Sequence, residues 1–169
     1  MIMAWRMLPE VTKYMYTDPK LTLEDQKKWF ANISQDKRSS YWVVQLLDGT
    51  DVGVINLCDI DLGSLQAGWG CYIADERARG KGLGKTLECN IYEYAFGKLG
   101  LNKVWGEVFA FNERVVQIHQ KYGMEVEGTL RDHVRKNGEF HDVVRMAVMR
   151  SKWLEIRDSL GFETIAIEE

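Results

Sequence analysis

Arg77-Ala-Arg-Gly-Lys-Gly-Leu-Gly84 is the stretch of sequence on which the fold depends most, because it separates a β-rich run from a helical one. Residues 67–73 precede it with the pattern of a strand. After it, apolar residues recur at helical spacing as far as Ala95, and residues 103–109 have the pattern of a second strand. A strand, a crossover helix and a strand form a βαβ unit, whose two strands lie parallel in one sheet. We therefore predict that residues 77–84 connect a strand to the start of a helix.

The same stretch can bind an anion. The first backbone N–H groups of a helix have no partner within the helix, and the helix dipole favours negative charge at that end. Glycine at positions 80, 82 and 84 lets a phosphate approach the backbone without meeting a Cβ atom. We therefore predict a phosphate site here, although a glycine-rich turn without a ligand would show the same spacing. The basic residues of the stretch are Arg77, Arg79, Lys81 and Lys85.

Two common phosphate-binding motifs do not fit the spacing. A P-loop, G-x-x-x-x-G-K-[ST], would need glycine at position 79, where the chain has Arg79. A dinucleotide-binding loop would need G-x-G-x-x-G, whereas the glycines here alternate as G-x-G-x-G. The sequence thus disfavours a kinase, an ATPase or a dinucleotide-dependent enzyme. The spacing that does fit is R-x-x-G-x-G, which Arg77, Gly80 and Gly82 supply.

Composition and charge exclude several classes of protein. The chain has 169 residues, 46% apolar and 28% charged, which is the length and composition of one globular domain. Its 22 basic and 25 acidic residues give a net charge of −3, so no overall field draws it to nucleic acid or to a membrane surface. We expect no membrane span and no signal peptide, because no apolar run is long enough. Cys58, Cys71 and Cys89 lack metal-ligand spacing, which predicts reduced thiols, no metal site and a cytoplasmic location.

Helices and hairpins complete the predicted architecture. The N-terminal segment has helical patterns, including a capping box from Thr22 to Asp25 that is followed by apolar residues on one helical face. Asn112 can cap a later helix that ends before Gly123. Asp-Gly at position 48 and Asn-Gly at position 137 are turn dipeptides between β-rich runs. We therefore predict a mixed α+β domain. Its hairpins join residues 41–47 to 52–59 and residues 129–136 to 139–149.

With R-x-x-G-x-G in the loop and Asn112-Glu-Arg-Val-Val-Gln-Ile-His-Gln-Lys-Tyr-Gly123 after the next strand, the sequence resembles the GNAT family of acetyl-CoA-dependent N-acetyltransferases. The resemblance covers nearly the whole chain. It implies one domain over residues 1–169, with a core of about 1–152 and a C-terminal extension at 153–169. It also implies a mostly antiparallel sheet with a central parallel strand pair, acetyl-CoA as co-substrate and direct attack by an amine in a ternary complex. GNAT chains usually begin with a strand, which we expect to be absent here.

Further strings resemble one branch of the family, the acetyltransferases of pseudaminic acid synthesis. Those enzymes acetylate the 4-amino group of a UDP-linked dideoxy amino sugar, so the resemblance implies a nucleotide-linked amino sugar as acceptor. Polyamine and ribosomal-protein acetyltransferases share the second half of the chain less closely and remain the alternative, as does an acyl-CoA-binding module without catalysis. The strings are Trp5-Arg6, residues 13–16, residues 69–73, Glu107-Val108 with Asn112, and residues 126–130 through 140–143.

The resemblance also implies which residues bind the co-substrate. In GNAT proteins the two parallel strands splay apart, and the pantetheine arm bonds the free backbone of the first strand, here residues 69–73. A bulge at Gly68 or Gly70 would help to free that backbone, although close packing beneath Trp69 would explain the same glycines. The residues implied are Cys71, Tyr72, Ile73, Arg77, Arg79, Gly80, Lys81, Gly82, Leu83, Gly84, Lys85 and Asn112.

Two residues are candidates for proton transfer. The family commonly has tyrosine as the acid seven residues after the asparagine that opens the helix, where this chain has His119. An imidazole can give a proton to the departing thiolate, and helix packing is the alternative. Glu107 lies between Trp105 and Phe109 in mid-strand and would orient the amine or relay its proton, and an exposed position on an edge strand is the alternative. Many relatives have an acidic residue where this chain has Gly68, so the direct base stays open.

The N-terminal helices are expected to form the acceptor side of the cleft. The planar fork of Arg6 suits a diphosphate or a uracil carbonyl. Trp5 and Tyr16 would supply aromatic faces, although core packing explains such rings equally well. The expected partners are thus a small-molecule amine and acetyl-CoA.

The end of the chain has a separate pattern. Residues 153–156 suggest a short helix, and residues 162–167 are β-prone. We expect this tail to pack on the sheet or on a second subunit, with a disordered terminus as the alternative. Without a first strand, the hairpin at 41–59 would also present an open sheet edge, so a homodimer is one arrangement that the sequence allows.

Overall fold

The computed structural model describes residues 1–168 and arranges their strands in one sheet, so position 169 of the predicted extension lies outside it. The spatial order is β1-β2-β3-β4-β6-β5, and all neighbours are antiparallel except β3 and β4, which are parallel. The predicted mixed sheet with a central parallel pair is confirmed. The strands are β1 (Ser40–Gln45), β2 (Asp51–Asp61), β3 (Gln66–Ile73), β4 (Lys103–Phe109), β5 (Glu125–Lys136) and β6 (Glu139–Met149).

Helices connect the strands and pack against the sheet. α4 (Leu83–Glu93) continues as a π-helical turn, Tyr94–Lys98, and the chain turns at Gly100 with φ +65°, so the helical run ends soon after Ala95, where its apolar spacing ends. Within residues 1–168, no strand precedes β1, and no helix is long and apolar enough to cross a membrane. The helices are α1 (Ile2–Trp5), α2 (Pro9–Thr12), α3 (Leu23–Ile33), α4 (Leu83–Glu93), α5 (Glu113–Lys121) and α6 (Arg150–Leu160).

The parallel strands separate along their length. β3 and β4 pair only through residues 66–68 of β3 and 103–105 of β4, so residues 69–73 have no partner strand on that side. The bulge predicted at Gly68 or Gly70 lies instead on the neighbouring strand: β2 and β3 stay in regular register from Gly53 to Cys58, and the register shifts between Cys58 and Asp61, just beyond Gly68. Gly68 is instead a close contact, since a Cβ atom there would lie 2.6 Å from the Trp105 ring.

The core fixes α4 against the sheet. Leu87 and Ile91 are buried on the predicted apolar face of α4, with Tyr92 beside them. Tyr92 meets Trp153 of α6 edge-on, with ring centroids 5.2 Å apart. Because this face is fixed in the core, the neighbouring residues of α4, including Glu88, are held in place relative to the sheet.

α3 is capped as its sequence predicts, but its apolar face lies largely open. The capping box of α3 is confirmed, because the Thr22 oxygen accepts from the Asp25 N–H and the Asp25 carboxylate accepts from the Thr22 N–H. The apolar face of this helix is only partly covered. Phe30 is 63% exposed and Trp29 packs edge-on against Tyr41, because α3 lies beside a cleft rather than on the core.

The second hairpin turns at Asn137 and Gly138, with φ of +52° and +87°, as a type I′ turn requires. The predicted hairpin is confirmed, but β5 begins earlier than predicted, at Glu125. Its first residues extend the ladder because a register shift between Val126 and Gly128 lets them pair with β6.

The tail after α6 packs on its own chain without forming the predicted β structure. The Asn90 side chain on α4 donates to the Glu163 carbonyl at 2.7 Å and accepts from the Ile165 N–H at 3.0 Å. Further along, the Trp42 indole of β1 donates to the Glu168 carbonyl at 2.9 Å. The tail is irregular because side chains, and not a strand edge, supply its hydrogen-bond partners.

We expect Asn90→Ala to lower the free energy of unfolding by about 1–3 kcal/mol, the usual effect of leaving buried polar groups unpaired. Asn90 is only 3% exposed and is the side chain that bonds both Glu163 and Ile165. Urea unfolding measures the change. Glu163→Ala is the matched control, because it keeps the backbone carbonyl that Asn90 bonds. Equal stability of the two variants would mean that Asn90 does not hold the tail.

Candidate active site

A cleft of about 930 Å³ opens where β3 and β4 separate, bounded by the glycine loop and the N-terminal helices. Several residues predicted for the site do not line it, among them Trp5, Tyr16 and Gly82. The three basic side chains Arg77, Lys81 and Lys85 are outside its lining as well. The predicted residues that line the cleft are Arg6, Cys71, Tyr72, Ile73, Arg79, Gly80, Leu83, Gly84, Glu107, Asn112 and His119.

The glycine loop presents unpaired amides at the start of α4. Gly80 and Gly82 have φ of +74° and +82°, the left-handed region that glycine adopts without strain. Within the described residues, the N–H groups of 80–85 donate to no backbone carbonyl, and Cβ atoms at Gly80, Gly82 and Gly84 would meet nothing within 4 Å. A helix N-terminus with free donors and open space fits the pyrophosphate of acetyl-CoA.

Three of the basic side chains around the loop make hydrogen bonds to other groups of the protein. Arg77 pairs with Asp75 at 2.6 Å, and its hydrogen bonds lower the pKa of that carboxyl to about 2. Arg79 donates twice to the Ile73 carbonyl, at 2.9 and 3.1 Å, and so fixes the loop to the end of β3. Lys85 donates to the Gly161 carbonyl at 3.1 Å. The backbone amides of residues 80–85 have no such partner among the described residues and are therefore free to donate to a phosphate.

The unpaired part of β3 borders the cleft with backbone groups and one thiol. Residues 69–73 keep their hydrogen bonds to β2 and have no strand beside them on the other side, which fits a pantetheine arm lying along the strand. Burial raises the pKa of the Cys71 thiol to about 12 and that of Cys58 to about 11. Both thiols are therefore protonated near neutral pH and are poor nucleophiles.

His119 of α5 lies in the cleft wall with its ring held on two sides. Its Nδ1 is 2.8 Å from the Glu88 Oε2 atom, and the ring meets Trp69 edge-on with centroids 5.3 Å apart. The side chain is 15% exposed. Because Nδ1 is engaged by Glu88, Nε2 is the nitrogen available for exchange with the cleft.

The sequence did not single out Glu88 or Tyr92. Glu88 is 1% exposed, and its second carboxylate oxygen accepts from the Tyr92 hydroxyl at 2.6 Å. Burial, together with the charge of Glu88, raises the pKa of Tyr92 well above its ordinary value, so the hydroxyl remains a donor. One feature of the sequence could have identified Glu88, because a glutamate directly after Leu87 lies next to the apolar face of the helix, where a charged residue is unusual.

Glu107 lies on an inner strand and both of its oxygens have donors. Arg145 donates to one oxygen at 2.6 Å and the Tyr16 hydroxyl to the other at 2.7 Å. Burial and the bond to Glu107 raise the pKa of Tyr16. The Arg145 guanidinium also lies 3.5 Å over the Trp105 ring. The exposed edge position that the sequence left open does not occur, and the part of Glu107 in proton transfer stays a prediction.

Asn112 opens α5 without capping it. Its side chain makes no cap hydrogen bond, and its φ and ψ of −93° and 51° lie outside the extended region that an N-cap residue adopts. The predicted side-chain cap is therefore wrong. The predicted helix end at Gly123 is confirmed, because φ there is +96° and the Met124 N–H donates to the His119 carbonyl at 3.1 Å.

The N-terminal helices contribute side chains of both charges to the cleft. The Arg6 Nη2 atom donates to the Thr17 hydroxyl at 3.2 Å. Its Nη1 atom and the Tyr72 hydroxyl are buried and, among the described residues, have no hydrogen-bond partner. Carboxylates of Glu10 and Asp25 line the same space. This side of the cleft can therefore receive an ammonium group or a hydrogen-bond acceptor.

Residues 1–125 match the family model described as an acetyltransferase (GNAT) domain. The chain is 26% identical over 144 residues to spermidine N(1)-acetyltransferase of Vibrio cholerae, which covers 85% of this chain and 83% of that protein. It is 27% identical over 121 residues to acetyltransferase PseH of Campylobacter jejuni, which covers 72% of this chain and 73% of that protein.

The fold is also similar to that of a solved structure. The crystal structure of spermidine N-acetyltransferase from Vibrio cholerae in complex with CoA and spermine has a TM-score of 0.85 at 24% identity, with 90% of each chain covered. The match to the family model spans most of the chain, from the N-terminal helices through α5. The chain therefore belongs to the GNAT acetyltransferase family and is an acyltransferase that uses acetyl-CoA as its co-substrate.

Proposed function

We propose that this chain acetylates a primary amine of a small molecule by direct attack, and that a polyamine such as spermidine is the first candidate acceptor. The spermidine acetyltransferase of Vibrio cholerae matches over 144 residues, against 121 for PseH. The observation that carries the proposal is a single cleft that is bordered both by groups for the co-substrate and by groups for the amine. Free loop amides, unpaired β3 backbone and the carboxylates of Glu10, Asp25 and Glu107 all border it.

Acetyl-CoA supplies the acetyl group as a thioester. The amides of residues 80–85 would bind its pyrophosphate, and the free backbone of residues 69–73 would bond its pantetheine arm. The glycine at position 84 leaves open space where the phosphates approach. Asn112 lines the cleft without a capping bond, so its side chain is free to contact the co-substrate.

The remaining residues handle the acceptor and the protons. An ammonium group entering the cleft is attracted by the carboxylates and must lose a proton before its nitrogen can attack. Glu107 would orient it, with Arg145 and Tyr16 holding the carboxylate in place. His119 would give a proton from Nε2 to the departing sulfur, while the protonated Cys71 thiol takes no part.

A nucleotide-linked amino sugar is the second candidate acceptor, and the unpaired Arg6 and Tyr72 atoms favour it. A guanidinium fork matches a diphosphate or a uracil carbonyl, and a buried hydroxyl can bond the same group. A polyamine has no acceptor atom for Arg6. Trp29 and Tyr41 line the same side of the cleft and offer rings against which a base or a sugar can pack.

The acceptor is tested by the release of free thiol from acetyl-CoA with spermidine, spermine and a UDP-linked 4-amino-4,6-dideoxy sugar. Acetyl-CoA binding is measured separately by calorimetry. Turnover with the polyamines supports the first candidate, and turnover with the sugar alone supports the second. Tight acetyl-CoA binding without turnover of any acceptor would contradict both and favour a binding module.

The Arg6→Gln variant distinguishes the two candidate acceptors. We expect it to raise KM for the UDP-linked sugar by about 10- to 100-fold, the effect of losing a charge-assisted hydrogen bond. KM for spermidine should stay the same or fall, because the variant removes a repelling charge. Arg38→Gln, a surface arginine with a 66% exposed side chain, is the matched control. Equal effects on both acceptors would mean that Arg6 only supports the fold.

A further inference from the structure

We infer that Glu88 is a positioning residue for His119. Its buried carboxylate holds the proton of the imidazole on Nδ1 and so presents Nε2 for the proton transfer. This inference rests on the proposed function, in which His119 protonates the departing sulfur. It adds two residues of α4, Glu88 and Tyr92, to the machinery of the site.

The hydrogen bonds of Glu88 determine which ring nitrogen carries a proton. An ionised carboxylate only accepts hydrogen bonds, so the 2.8 Å contact from Oε2 requires hydrogen on Nδ1. The Tyr92 hydroxyl satisfies Oε1 at 2.6 Å. With both oxygens occupied, the carboxylate has one orientation. The ring of His119 then has one as well, because Trp69 packs edge-on against it.

A glutamate at this position is hard to explain by packing. Glu88 is 1% exposed, and burying an ionised carboxylate costs several kcal/mol unless partners compensate. Its neighbours in the helix, Leu87 and Ile91, fill the core with apolar groups. An apolar residue would pack at position 88 without that penalty. The carboxylate therefore has a use that packing does not supply, since it borders the cleft and contacts His119 there.

The arrangement serves the transfer of the acetyl group from sulfur to the amine nitrogen. The amine nitrogen forms a bond to the acetyl carbon, the carbon–sulfur bond breaks, and its electron pair goes to sulfur. When both of its nitrogens carry a proton, His119 gives the Nε2 proton to that sulfur and keeps the other proton on Nδ1, hydrogen-bonded to Glu88. The surplus proton of the amine leaves to solvent or returns to Nε2. Glu88 stabilises the charged ring before transfer and keeps the neutral ring in one tautomer after it.

Glu88→Gln tests the inference by two readouts. We expect kcat to fall by about 10- to 100-fold, while the Kd for acetyl-CoA stays within about twofold, because the variant removes a charge but keeps the size of a side chain whose two terminal atoms are engaged by Tyr92 and His119. The ¹⁵N spectrum of His119 should also change, with loss of the preference for a protonated Nδ1. Glu93→Gln is the matched control. It alters another α4 glutamate, one that bonds Trp153 and Arg157 instead.

Tyr92→Phe keeps the test decisive if Glu88→Gln does not fold. It removes only the donor to Oε1, and we expect kcat to fall by about 2- to 10-fold with a smaller change in the His119 spectrum. An unchanged spectrum in the folded variants would overturn the inference, as would a changed spectrum with wild-type kcat. If the wild-type chain turns over none of the acceptors, the proposed function fails. The spectrum then decides alone whether Glu88 sets the state of the ring.

Discussion

His119→Ala is expected to lower kcat by about 10- to 1000-fold, with little change in the Kd for acetyl-CoA, because it removes the group placed to protonate the sulfur. The ring lies in the cleft wall, and Glu88 holds its Nδ1 at 2.8 Å. Free-thiol release between pH 6 and 9, with whichever acceptor the wild-type chain uses, measures the effect. Full kcat across that range would mean that His119 only packs.

The alanine variant also leaves the Glu88 carboxylate without one of its partners, which destabilises the fold. His119→Asn avoids this problem, because its amide N–H can replace the Nδ1–H donor to Glu88 while nothing replaces Nε2. We expect it to fold like the wild type and to lose kcat as His119→Ala does. His133→Asn, at an exposed position on β5, should have no effect. A fully active His119→Asn variant would rule out proton transfer through Nε2.

The parts of the fold that the sequence predicts are those set by local chemistry. Asn137-Gly138 can form a type I′ turn, and Gly123 can take a positive φ, whatever surrounds them. β3 and the start of α4 follow from periodicity on either side of the glycine loop. The tail after α6 depends on Asn90, a residue far away in the sequence, so its β-prone pattern was misleading.

The candidate site likewise has features that are visible within one segment and features that depend on tertiary contacts. The glycine spacing and the position of His119 follow motifs within one segment. The contact between Glu88 and His119 joins α4 to α5, two helices separated along the chain by β4, so no pattern within either helix reveals it. Positive charge in the loop was visible in the sequence. That Asp75 and the Gly161 carbonyl already engage Arg77 and Lys85 is a tertiary result.

Gly84→Val is expected to raise the Kd for acetyl-CoA by about 10- to 100-fold without loss of stability. Gly84 lies in the first turn of α4 without a positive φ, and a Cβ atom there meets nothing within 4 Å of the protein. The new side chain would instead occupy the space in front of the free amides, where the pyrophosphate would bind.

Gly82→Val should also weaken binding, but its φ of +82° adds about 1–3 kcal/mol of backbone strain. Calorimetry with acetyl-CoA and urea unfolding separate the two effects. Gly97→Val, at an exposed helical glycine outside the cleft lining, is the control. Wild-type affinity in a folded Gly84→Val variant would place the pyrophosphate elsewhere.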